Sequence, residues 1–153
     1  MAMKLQTKPQ RLYDADLYVW ALDQAQLLRE RRFETLDLEN LIEEVEGLAD
    51  AKLSAVLNAA RVVMEHLLKL QCSPATDPRH LWRASVREHR RRVQIDLTPR
   101  IGQILTGELP RLYAMARDDA AAGMRDHGEA AAAAALPAHC PYRLDQITGD
   151  WWP

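Results

Sequence analysis

Cysteine is nearly missing from this chain of 153 residues: Cys72 and Cys140 are the only two, and neither belongs to a CxxC pair. That excludes a disulfide framework and a zinc knuckle, and it predicts reduced thiols. Long apolar runs are missing as well, since charges interrupt every stretch that approaches the roughly 18 residues a membrane helix needs. Met1 to Arg11 lacks the apolar centre of a secretory signal. The expectation is a cytoplasmic protein that makes no use of a membrane. Alternating stretches rich in Val, Ile and Thr do not occur, which argues against strands. No Gly/Ser-rich linker divides the chain, and two domains of half this length would each have a marginal core. The reading is therefore a flexible tail over residues 1–11 and one all-helical domain over 12–153.

Chemical signatures are absent too. The sequence has no GxSxG, P-loop, GxGxxG or HExxH. A di-iron bundle wants Glu-x-x-His on two helices, whereas Val63 stands three residues before His66. No catalytic residue, metal ligand or cofactor is assigned on these grounds.

What is present is charge in blocks and apolar residues at helical spacing. The net charge of -2 hides a split: Glu34 to Asp50 holds seven acids and no base, and Arg79 to Arg92 holds six arginines against Glu88 alone. Asp14 reads as the cap of a first helix reaching about Arg31, with Leu17, Trp20, Ala21, Gln24 and Leu28 on one face. The strongest pattern runs from Leu38 through Ile42, Val45, Ala49, Leu53, Val56, Ala60, Val63 and Leu67 to Leu70, at steps of three or four. Gly47, Ala51, Ala55 and Ala59 lie four apart on one flank, where small residues predict the close approach of another helix.

Asp77-Pro78 and Thr98-Pro99 are cap-plus-proline signals. They open a third helix from Pro78 to about Leu97 and a fourth from Thr98-Pro99 toward Gly123, the latter with a kink expected near Gly107 and Pro110. The third carries Trp82, Val86, Val93 and Leu97 on its apolar side, interrupted by His89. The fourth carries Ile101, Leu105, Leu109, Leu112, Ala116 and Ala120. Six alanines from Ala130 to Ala135 give a short helix, and a further turn is expected near Leu144 to Ile147 in an aromatic tail that docks on the rest. The fold class is all-α: a single-domain helical bundle of about four main helices plus a short C-terminal helical element.

Arg83, Arg87 and Arg91 recur on one side of the third helix and are candidates for tracking nucleic-acid phosphates. The opposite acidic block and the absence of a net basic balance rank that reading behind a structural one. His66 and His89 read as packed, hydrogen-bonded histidines.

The motifs Tyr13-Asp14-x-Asp16-x-Tyr18-x-Trp20, Leu27-Leu28-Arg29, Leu36-Asp37-x-x-Asn40-Leu41-x-Glu43-Glu44-x-Glu46, His66-Leu67-Leu68-Lys69, Trp82, Arg87 and Cys140-Pro141-Tyr142 together resemble the bacterial domain-of-unknown-function family 29. The resemblance covers nearly the whole chain from Tyr13. It implies an almost wholly helical domain with no assigned activity, substrate or cofactor. Mapped onto the helices, its polar positions Asn40, Glu44, His66, Lys69 and Arg87, with Trp82 packed nearby, are candidates for a polar network fixing helix register. The functional expectation is a non-enzymatic protein-interaction or self-association module, partnered by another protein or by itself as a homodimer. A nucleic-acid-binding regulator is the alternative, and an enzyme or metal protein built on Glu44 and His66 ranks third.

Overall fold

The computed structural model describes residues 9–153, with side chains from Leu12 onward. Residues 1–8 of the expected tail lie outside the described residues, and a helix is already present at Pro9. The described residues are helical and contain no strand. Their elements are α1 (Pro9–Ala15), α2 (Leu17–Arg29), a 3-10 turn (Phe33–Thr35), α3 (Leu38–Cys72), α4 (Arg79–Asp96), α5 (Pro99–Asp126), α6 (Ala130–Ala134) and α7 (Leu144–Thr148). None of the helices is long and apolar enough to cross a membrane. The chain parts into two compact units, through Asp50 and from Ala51 onward, with the boundary inside α3.

In the first unit the expected helix from Asp14 divides, because Asp16 is the cap. Asp16 Oδ1 accepts the amide of Val19 at 3.0 Å and starts α2 afresh. Trp20 and Gln24 are the buried residues of α2, while Leu17 and Leu28 stay exposed. The helix ends in a left-handed turn at Arg31, φ 57°. There the amide of Arg31 donates to the Leu28 carbonyl and that of Arg32 to the Leu27 carbonyl, the paired bonds of a Schellman motif. The end of α5 repeats it with the fitting residue. Gly128, φ 79°, donates to Arg125 and Glu129 donates to Met124.

The second unit holds the larger core. Val56, Met64, Leu67 and Leu68 of α3 join Val86 and Val93 of α4, Leu105, Leu112, Ala116 and Ala120 of α5, and Tyr142 and Ile147 of the C-terminal segment. The stripe expected along α3 is therefore a core stripe from Val56 onward. Its N-terminal members Leu38, Ile42 and Val45 are exposed. The small flank is corrected as well: Gly47, Ala51 and Ala55 are exposed, and a Cβ on Gly47 would meet nothing within 4 Å. Of the four, Ala59 alone is buried.

Thr98 Oγ1 caps α5 by accepting the Ile101 amide, with Pro99 at the first position, and the helix continues through Pro110. Trp151 and Trp152 pack partly buried against the core, so the aromatic tail docks as expected.

Candidate functional site

The end of α3, the turn at residues 73–78, the first turn of α4 and the end of α5 surround a cavity of about 430 Å3 in the second unit. Each wall follows from local sequence. Pro74 stops α3, Pro78 stands at the cap of α4 with no side-chain cap bond, one place before the first helical position expected for it, and Ser73 Oγ accepts the amide of Ala75 at 3.1 Å to fix the turn between them. Lys69 reaches the cavity from α3, Trp82 from α4, and Gly123 and Met124 from α5, with His127 and Glu129 just beyond.

Lys69 Nζ donates to Glu65 Oε1 at 2.6 Å, one helical turn back, and both side chains are largely shielded, 14% and 15% exposed. Gly123 makes room for that ammonium, since a Cβ there would stand 3.1 Å from Lys69 Nζ. Glu129 Oε2 is buried without a hydrogen-bond partner.

A second cluster lies on the facing surfaces of α3 and α4. His66 Nδ1 meets the Val62 carbonyl at 2.9 Å, His89 Nδ1 meets the Ser85 carbonyl at 2.9 Å, and Ser85 Oγ stands 3.5 and 3.3 Å from the two ring nitrogens. A ring nitrogen that bonds a carbonyl carries the proton. Both Nδ1 atoms are therefore donors, and neither can take the Ser85 proton as a general base. Burial pushes the His66 imidazole below its ordinary range, against the opposing pull of the Val62 carbonyl. Among the described residues, no three His, Cys, Asp or Glu side chains group to hold a metal ion. Burial raises both thiols, Cys72 and Cys140, above the usual range and keeps them protonated and weakly nucleophilic.

Arg90 is the arginine that the sequence reading did not separate from its neighbours. Only 5% exposed, it donates Nε to the Ile147 carbonyl at 3.1 Å and Nη2 to those of Gln146 and Trp151, both at 2.6 Å. Its guanidinium also lies 5.0 Å from the centre of the Trp152 ring. One signal was available: position 90 stands four after Val86 and three before Val93, the step that an apolar helix face follows. The interruption of that face assigned to His89 belongs to Arg90, which is buried where His89 is half-buried.

In the first unit Asp37 is the hub. Its Oδ2 accepts from Trp20 Nε1 at 3.1 Å and from Asn40 Nδ2 at 2.8 Å, while its amide donates to Gln24 Oε1 at 2.8 Å. Beside it Tyr13 packs edge-on to Trp20, donates its hydroxyl to Glu44 at 2.7 Å, and has its pKa pushed up to about 12 by that bond. Leu17, Trp20, Ala21, Gln24, Leu41, Val45 and Leu48 line an apolar groove of about 620 Å3.

The six polar-network candidates thus have these settings. Asn40 and Glu44 bond Asp37 and Tyr13 within the first unit. In the second, His66 bonds the Val62 carbonyl, Lys69 pairs with Glu65 and lines the cavity with Trp82, and Arg87 is exposed. Of the three phosphate candidates, all exposed, Arg83 sits over the Trp152 ring at 5.2 Å and Arg91 lies 3.7 Å from Glu88.

This all-helical chain belongs to a family described as a domain of unknown function, DUF29, whose model matches residues 12–152. No curated protein and no solved structure matches it.

Proposed function

We propose that this protein is a non-enzymatic protein-interaction module whose docking face lies on residues 17–48, and that the occupant is a basic amphipathic helix of a partner protein. The observation that carries the reading is a concentration of exposed large apolar side chains in the first unit: Leu17, Tyr18, Leu22, Ile42, Val45 and Leu48, the last 65% exposed. Leu17, Tyr18, Val45 and Leu48 of this set line one groove; contiguous apolar surface of this kind marks interaction sites, and a groove between helices is the form that receives a partner helix. Charge selects the occupant. Residues 12–50 contain eleven acids and three arginines, with Glu39, Glu43, Glu46 and Asp50 exposed among the apolar residues of α3. A second copy laid face to face would set acid against acid, whereas a basic helix meets opposite charge along its rim.

The test is titration of a labelled leucine-lysine amphipathic peptide, read by anisotropy, beside light scattering of the protein alone. Saturable binding that weakens with salt and is lost in Val45→Lys/Leu48→Lys, with unchanged helical circular dichroism, supports the proposal. Absence of binding overturns it. So does a dimer mass that the same substitutions convert to monomer, because the face then belongs to a second copy.

The nucleic-acid reading has less support. Arg83 is stacked and Arg91 shares Glu88 with Arg92, which leaves Arg87 as the one guanidinium of the three with no such partner among the described residues. Phosphate-dominated binding rests on several cations acting together.

A further inference from the structure

The cavity of about 430 Å3 at the end of α3 falls within the size range of small-ligand pockets, roughly 300–1,000 Å3. Its chemistry is one-sided. Lys69 is neutralised by Glu65 at 2.6 Å, and His127 commits Nδ1 to the Gly123 carbonyl at 2.7 Å. Two carboxylates, Asp77 and Glu129, line the space without an ion pair among the described residues, and Oε2 of Glu129 is buried with no donor at all. A cavity-lining carboxylate without a cation partner gains a charge-assisted hydrogen bond from a ligand that supplies a donor. Trp82 adds an aromatic ring, which attracts cations, and Met124 and Pro78 add apolar wall. An anion or a neutral alcohol would leave the carboxylates unneutralised.

The geometry points to a binding site for a small organic ammonium ion, a primary amine on a short apolar chain, with its nitrogen held by Glu129 and its chain against Trp82 and Met124. Gly123 and Glu65 serve the site by keeping the Lys69 ammonium folded against its own helix and out of competition for Glu129. The site lies wholly in the second unit and stands independently of the docking face on residues 17–48.

Isothermal titration of the full chain with butylamine, butanol and butyrate tests this directly. Butylamine is expected to bind one to one, with butanol and butyrate weaker by about tenfold or more, the effect of one charge-assisted bond. Glu129→Gln should lose butylamine affinity by a similar factor, and Ala75→Leu, which fills the cavity without changing charge, should abolish binding; melting curves verify that both variants fold. Butanol binding as tightly as butylamine, full affinity in Glu129→Gln, or no heat from millimolar butylamine would each overturn the assignment.

Discussion

Arg90 of α4 and Trp151 of the C-terminal segment are joined by a 2.6 Å bond from a guanidinium nitrogen to a backbone carbonyl, across 61 positions of sequence. With the Gln146 and Ile147 carbonyls accepting from the same side chain, one buried cation ties the last turn of chain to the core.

Replacing Arg90 by lysine keeps the charge but not the planar fork, which serves three carbonyls at once. Arg90→Lys should destabilise the second unit by about 2 kcal/mol, and Arg90→Ala by more, since bonds to charged groups contribute about 1.5–3 kcal/mol. Hydrogen exchange should rise in residues 144–153 before it rises in α5; uniform exchange in Arg90→Lys would refute the clasp.

The two left-handed helix ends make a matched pair. Arg31 carries a Cβ at φ 57°, where glycine is at ease, and Gly128 occupies the same position of its own motif at φ 79°. Arg31→Gly should raise stability by about 1 kcal/mol, and Gly128→Ala should lower it by about as much. Chemical denaturation of the two variants reads the opposite signs.

Gly47 and Gly123 are both helical, yet they should answer alanine differently. Nothing lies within 4 Å of a Cβ on Gly47, so Gly47→Ala should gain the full helix-propensity difference, about 1 kcal/mol. At Gly123 the new methyl meets Lys69 Nζ at 3.1 Å and Cε at 3.4 Å. The gain there should shrink toward zero as the lysine is displaced from Glu65. Equal gains in thermal melts would show that Lys69 yields freely.

His66 gives stability a pH dependence. Because burial depresses its folded pKa, the unfolded chain takes up the proton first as pH falls. The contribution is whole above about pH 6.5, the ordinary histidine value, and is lost below it as pH falls through the folded pKa. His66→Gln should flatten the decline in melting temperature between roughly pH 7.5 and 5.5. Parallel curves for the two proteins would assign the decline to other groups.

Spacing made α5 readable in advance, because Leu105, Leu112, Ala116 and Ala120 lie on one face and that face is buried. The same periodicity ran through Leu38, Ile42 and Val45, which are exposed. Periodicity reports that a segment is helical and amphipathic, but it does not report what covers the apolar face. Asp16 and Asp14 were equivalent as letters, and the cap belongs to the one whose carboxylate reaches the Val19 amide. The cavity was beyond linear reading for another reason. Lys69, Trp82 and Glu129 are spread over 60 positions and meet only because two turns fold the helices back. Arg90 was visible as a charge, but its carbonyl partners are 56 to 61 residues away.

Tyr142 is buried, donates its hydroxyl to Gln71 at 3.1 Å, and sets its ring against those of Tyr113 and Trp151. These residues follow α3, α4 and α5 in the chain, so they emerge from the ribosome after the helices they cover. Until residues 142–151 leave the ribosome, the apolar surfaces of the second unit have no lid, and partly made chains carry an exposed core of the kind that aggregates or recruits chaperones. The order of translation therefore leaves the core of the second unit uncovered until residues 142–151 emerge.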